Sequence, residues 1–311
     1  MLGKWFAQWL CCFALLFTGH VPAKQAEQSL YILGVVQDAG FPQIGCYQQH
    51  CLPAWQDKRL QRGAVSIALI DQKEKTKYLF EASPNLPQQL YQLSTIAPDL
   101  DYQLAGIFLT HAHIGHYAGL MYLGHEAMGA NNVPVYAMPR MKQFLENNGP
   151  WDQLSRYNNI QLKPLADKHP VSLTQVSVTP FTVPHRDEYS ETVGYRIQGQ
   201  HKTAIFIPDI NKWQSWKTNI ADLVKTVDYA FLDAAFYADG ELPGRDMSKI
   251  PHPFVSESMQ IFDALPIQQR NKIWFIHMNH TNPLLNKNSP EAKLVQSKGY
   301  HIAQEGLSFD L

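Results

Sequence analysis

Three histidines fall within six residues in the stretch Leu109-Thr-His-Ala-His-Ile-Gly-His116. Imidazole is a ligand well suited to zinc, and two rings one residue apart can converge on one ion when the turn is tight. His111 and His113 have that spacing, while His116, after two more residues, can turn towards a neighbouring ion. The apolar run Leu104–Leu109 reads as a strand, so the cluster follows a strand end, where side chains can converge without disturbing a sheet. The ordinary alternative is a chance group of surface or packing histidines. Three in six residues directly after an apolar strand fits that alternative poorly, even in a chain with 13 histidines.

The stretch resembles the H-x-H-x-D-H signature of the metallo-β-lactamase superfamily, and the resemblance covers nearly the whole chain after its first residues. It implies a four-layer αββα sandwich of two mixed sheets with outer helices. In that family the first two histidines hold one metal, and the aspartate and last histidine hold a second. Gly115 stands where the aspartate belongs, so one carboxylate of a dinuclear site is missing. The resemblance assigns three further ligands. His185, in Thr182-Val-Pro-His-Arg, matches the third histidine, on the first metal. Asp209, in Ile207-Pro-Asp-Ile, matches the bridging carboxylate, and His277, ending Lys-Ile-Trp-Phe-Ile, matches the last histidine. Alone, each is weak, since an aspartate after a strand is more often a turn or helix cap. Their shared order, each after a strand, outweighs the separate alternatives.

The wording QDAGFPQIGC, ASPNLPQQL, VPHRDEYSETVGYRI and FIHMNHTNP resembles a narrower branch, the pyrroloquinoline quinone biosynthesis B proteins. Those share the fold but carry a degraded histidine motif. Because this chain keeps His111 and His113, the likeness implies kinship rather than identical activity.

A second group of donors surrounds Cys46 and Cys51 in Gly-Cys-Tyr-Gln-Gln-His-Cys. Superfamily members resembling the phosphonate-pathway cyclic phosphodiesterase carry a structural zinc in this loop, completed by a histidine three residues after the last catalytic one. His280 has that place, Gln48 stands at a middle cysteine position, and His50 can substitute. Two thiolates and one or two imidazoles suffice for a closed zinc site. In an oxidising compartment a Cys46–Cys51 disulfide is the competing expectation. Both stay open.

The elements that must position these residues are legible in outline. Leu30–Val36, Ala64–Ile70, Lys77–Phe80, Val133–Ala137, Tyr229–Leu232 and Lys272–Ile276 read as strands, with at least three more between Val171 and Ile207. The polar residues Asp71–Lys75 make Ala64–Ile70 and Lys77–Phe80 a hairpin. Leu86–Leu93, Ala118–Met128, Pro139–Asn147, Ala221–Thr226, Ser256–Leu265 and Pro290–Ser297 read as helices. The strands arrive in two batches, each accompanied by helices, which suits two packed sheets in one metallo-β-lactamase-like domain over residues 29–311. Residues 1–23 read as a signal peptide: Lys4, then the apolar run Trp5–Phe17, then a small residue, Ala23, for cleavage. That run is short for a membrane span, so periplasmic or secreted protein without stable membrane association is expected.

With 17% charged residues and a net charge of -1, the chain offers no field for nucleic acid. A small molecule is the expected substrate, and the oligomeric state is open. The leading expectation is hydrolysis by a metal-activated water of pKa about 7. Zn2+, one or two ions, is the expected cofactor, with iron or manganese also compatible. Asp209 and His116 are the candidate catalytic residues, and a phosphodiester or other ester the substrate. The rivals are iron-dependent oxidation of the quinone-pathway kind and metal binding without catalysis. Asp38 follows the first strand and could approach the metal site from below, but it reads chiefly as a turn former with Gly40. Asp187 and Glu188 are candidates for orienting an imidazole. The irregular stretch Asp233–His252, with Arg245 and Asp246, is expected to line a pocket, Arg245 being able to bind an anionic group. His125, His169, His201 and His301 read as surface or packing residues.

Overall fold

The structure, a computed structural model, describes residues 27–311; the expected signal segment lies outside the described residues. Period-two alternation builds the sheets. In the strand Gln28–Gly34 (β1), Leu30 and Ile32 enter one core while Tyr31 and Leu33 enter another. Ser66–Asp71 (β2) repeats the division, with Ile67 and Leu69 opposed to Ala68 and Ile70. The next strands are Thr76–Phe80 (β3), Gln103–Phe108 (β4), Val133–Ala137 (β5) and Ile160–Pro164 (β6). Then come Val171–Leu173 (β7), Val176–Thr182 (β8), Val193–Gln198 (β9) and Thr203–Ile207 (β10). Tyr229–Asp233 (β11), Ile273–Ile276 (β12), His301–Ile302 (β13) and Ser308–Asp310 (β14) complete the set.

Among the described residues these form two seven-stranded mixed sheets, ordered β14-β1-β2-β3-β4-β5-β6 and β13-β12-β11-β10-β9-β8-β7. Leu30, Ile67, Phe80 and Phe108 of the first meet Val178, Tyr195, Phe206 and Phe231 of the second in one buried core. The outer face of the first sheet packs under the helices Leu86–Ser94, Pro139–Asn147 and Trp151–Arg156 through Leu86, Leu93, Met141, Leu145 and Leu154. Ile220–Lys225, Val255–Phe262 and Pro290–Ser297 serve the second sheet, burying Val224, Met259 and Val295. The fold is therefore the αββα sandwich of the metallo-β-lactamase type. Among the described residues no helix is long and apolar enough to cross a membrane.

One expectation needs correction. The stretch expected as a helix from Ala118 to Met128 is a 3-10 helix only as far as Leu123 and turns beyond it, and the α-helical residues are the four before it, Ile114–Tyr117. Packing overrides propensity here: Gly119 donates its amide to Ala82 O at 2.9 Å, and a β-carbon on it would lie 2.0 Å from Ser83 O. Where at least three strands are expected between Val171 and Ile207, four form, β7 and β8 being separated at Thr174, whose φ is 46°.

Strand direction decides where chemistry can gather. β3 to β6 are mutually parallel, as are β10 to β13, and β1 and β8 share those directions through two antiparallel pairings each. The carboxyl ends of β1, β3, β4, β8, β10, β11 and β12 thus converge on one edge of the sandwich. Val193 N donates to Thr110 O at 3.1 Å, and the Tyr195 hydroxyl donates to Leu109 O, which ties the two sheets together there.

Candidate metal centre

Each candidate donor sits just past one of those ends: His111, His113 and His116 after β4, His185 after β8, Asp209 after β10, and His277 after β12. They come together. The ligand atoms of His111, His113, His185 and Asp209 all lie within 4.8 Å of one another. Asp209 is the hub. Its Oδ2 lies 2.8 Å from His116 Nε2, 3.3 Å from His111 Nε2 and 3.5 Å from His277 Nε2; its Oδ1 lies 3.6 Å from His185 Nε2.

A second quartet shares the same hub. Asp209, Asp233, His252 and His277 also offer atoms within 4.8 Å of one another. His252 Nδ1 lies 2.7 Å from Asp233 Oδ2 and 3.4 Å from Asp209 Oδ1. Asp233 and His252 bound the irregular stretch expected to line a pocket, and they are additions to the expected metal donors. Asp233 ends the apolar strand Tyr-Ala-Phe-Leu-Asp, so the strand-end signal that marks Asp209 was present there too. His252 has no local signal: it closes a long loop. Arg245 and Asp246 of that loop are exposed and take no part in either quartet.

One buried carboxylate orients two of the rings. His111 Nδ1 donates to Thr110 Oγ1 at 2.8 Å, and that hydroxyl donates to Glu81 Oε1 at 2.6 Å. His116 Nδ1 donates to the same Oε1 at 3.2 Å. His111 therefore keeps its Nε2 lone pair directed at the hub, and His116 is fixed with Nε2 turned towards Asp209, the orienting role that outer carboxylates play around histidine ligands. Glu81 holds this position at φ 83°, and His277 sits at φ 68°. Such left-handed geometry costs a non-glycine residue about 1–3 kcal/mol and persists only where surrounding structure enforces it. Glu188 Oε2 reaches His113 Nε2 at 3.4 Å, whereas Asp187 pairs with Arg140 at 3.5 Å.

Charge follows burial and partners. Burial pushes His111 well below the usual imidazole range and His185 down to about 4. Burial also opposes a charge on His116, but Glu81 and Asp209 outweigh it and hold that ring well above its ordinary value. Against the same opposition, Asp233 carries His252 up to about 9, with Asp209 and Asp38 adding to the effect. His277, His185 and His116 together overcome the burial of Asp209 and hold its carboxyl well below the usual range.

The donor set fits a metal. Four imidazole nitrogens of the centre, His116 Nε2, His185 Nδ1 and both of His277, are buried without a hydrogen-bond partner, a costly state for polar atoms. Of these, His116 Nε2 and His277 Nε2 face Asp209. Imidazole nitrogens with carboxylate oxygens are the ligands that zinc, iron and manganese accept.

The second cluster is differently resolved. Cys46 and Cys51 form a disulfide, and His50 Nε2 lies 3.1 Å from His280 Nδ1. His125 stacks on Tyr157 and His301 on Trp274, at 5.2 and 4.2 Å, as packing residues do. His169 and His201 are exposed.

Residues 76–278 match the family described as the beta-lactamase superfamily domain. Coenzyme PQQ synthesis protein B of Xanthomonas axonopodis pv. citri (strain 306) is 25% identical over 307 residues, covering 91% of this chain and 99% of that protein. The zinc-bound crystal structure of PqqB from Methylobacterium extorquens superposes with a TM-score of 0.76 at 23% identity, over 91% of this chain and 100% of that one. A diphosphatase of the PhnP family follows at TM-score 0.63 and 20% identity, over 91% and 98% of the two chains. At these identities the solved structures speak for the fold.

Proposed function

The chain belongs to the β-lactamase superfamily, and we propose that it is a metal-dependent hydrolase of a small phosphodiester or related ester. The observation that carries this reading is Asp209 shared between two quartets of donors, with the buried Nε2 atoms of His116 and His277 facing it without a hydrogen-bond partner. A divalent cation bound there, zinc in this proposal, would polarise a phosphoryl or acyl oxygen and lower the pKa of a water to about 7.

The chain's own residues do the rest. Glu81 orients both rings, leaving Nε2 of His111 free and turning Nε2 of His116 towards Asp209. Asp209 stays ionised because imidazoles surround it, so it can hold cations or accept a proton. His252 is oriented by Asp233, its Nδ1 lying 2.7 Å from Asp233 Oδ2, and completes the second quartet. His113 and Asp38 are only half buried, unlike the hub, and mark the side from which a substrate approaches. The diphosphatase among the structural neighbours supports the phosphoester class. The signal-like segment supports action outside the cytoplasm.

Similarity to the PQQ synthesis B proteins over 91% of the chain favours a second reading, oxidation by an iron-loaded centre, since three nitrogens and a carboxylate also suit iron(II). One experiment separates them. Chelated protein reloaded with zinc, manganese or iron(II) is assayed on bis-p-nitrophenyl phosphate, p-nitrophenyl acetate and a chromogenic lactam, with oxygen uptake followed in parallel. Phosphodiester hydrolysis that disappears on chelation and returns with zinc or manganese is expected. Oxygen uptake with iron and no hydrolysis under any loading would overturn the proposal.

A further inference from the structure

We propose that Asp38, in the loop after β1, supplies the metal centre with the carboxylate that the His113–His116 turn lacks. This rests on the metal centre of the proposed function, though not on the reaction performed there.

Gly115 shows the relationship most directly. A β-carbon built on it would lie 2.5 Å from Asp38 Cα, 2.8 Å from Asp38 Oδ1 and 3.2 Å from Asp38 N. The space into which any side chain at 115 would grow is already filled by Asp38 and its carboxylate. An aspartate from the turn and an aspartate from the loop are therefore alternatives for one place. Glycine at 115 does not leave a gap: it admits Asp38.

The loop is held for this purpose. Gln37 N donates to Met278 O at 2.9 Å, Met278 N donates to Val35 O at 2.9 Å, and Val36 bridges both Ala64 and Met278. Met278 follows His277, so Asp38 is anchored beside a ligand of the second quartet. On its far side Phe41 and Arg62 exchange two backbone hydrogen bonds of 2.8 Å, which closes the loop. Asp38 itself sits at φ 44°, a conformation that glycine or asparagine adopts at less cost.

A turn former alone explains less. The turn exists, with Gly40 N donating to Gln37 O at 3.1 Å, but it uses the backbone of Gln37 and not the Asp38 side chain. Among the described residues no donor hydrogen-bonds to the Asp38 carboxylate, although it is half buried next to the histidine turn. Asp38 also lies outside residues 76–278, the part that matches the family. A ligand placed there is not visible from the histidine motif.

The test is Asp38→Asn in the full chain, because asparagine keeps the size of the side chain and tolerates a positive φ. Zinc per chain is measured by elemental analysis after equilibration at fixed free zinc, and affinities by competition with a chromogenic chelator. Cys46, His50, Cys51 and His280 are unchanged in both proteins, so any metal there cancels in the difference. Wild type is expected to hold two zinc ions at the centre. The variant should lose the weaker one, its affinity falling by more than the roughly 10- to 100-fold caused by removing an outer partner. Thermal denaturation of the two metal-free proteins should coincide. Equal stoichiometry and affinities in the variant would overturn the assignment of Asp38 alone. Wild type with no zinc at the centre would overturn the proposed function and this assignment together.

Discussion

Two regions of this chain gather donors of the kind that bind metals, and they satisfy them in opposite ways. At Cys46, His50, Cys51 and His280 the sulfurs are bonded to each other, and the two imidazoles lie stacked with ring centres 5.3 Å apart at a partly exposed edge. Each donor there has a neighbour within the protein. At the strand-end centre one carboxylate faces five imidazoles, those of His111, His116, His185, His252 and His277, and four of their buried nitrogens have no hydrogen-bond partner. An unsatisfied buried polar atom costs about 1–3 kcal/mol. Convergence of ligand types alone therefore does not distinguish a metal site from a cross-link. What distinguishes them is whether the donors have already been satisfied without an ion.

The largest effect should come from the hub. Asp209→Asn removes the charge that both quartets share, and metal at the centre should be lost, with hydrolysis falling by on the order of 10³-fold or more. Zinc content and kcat/KM on the phosphodiester check this together; a variant that keeps its metals would erase the proposed difference between the regions. Glu81→Gln should be milder. It leaves every ligand in place but weakens the acceptor that orients two rings, so affinity should fall by roughly 10- to 100-fold. Unchanged zinc affinity in a competition titration would show that the centre does not depend on that outer carboxylate. The smallest functional effect belongs to Cys46→Ser. Losing a cross-link over so short a loop should lower stability by about 2 kcal/mol, read by urea denaturation, while kcat/KM stays unchanged. A large fall in activity would couple two regions that the account keeps separate.

The difference between the regions was only partly legible in the sequence. The β2–β3 hairpin announced itself through polar residues, and Asp71 Oδ1 does accept the amides of Lys73 and Glu74 at 3.0 and 2.9 Å in that turn. His111, His113 and His116 were legible from their spacing, and His185, Asp209 and His277 from order and strand ends. Asp233 carries the same strand-end signal, at the start of the irregular stretch expected to line a pocket. His252 and Asp38 could not be read from spacing, because what brings them to the centre is long-range: the pinning of the β1 loop by Met278, and the Asp233–His252 contact across an irregular segment. The short edge strands β13 and β14 have too few residues for alternation to show. Gly115, read alone, suggested a missing ligand. Beside Asp38 it is the residue that makes room for one.

Anomalous diffraction from crystals of the purified, zinc-loaded protein, collected at the zinc edge, tests the central claim most directly. The account predicts strong peaks on either side of the Asp209 carboxylate, and none between Cys46 and His280 while their loop is oxidised. A peak confined to the Cys46–His280 loop, with nothing beside Asp209, would contradict it.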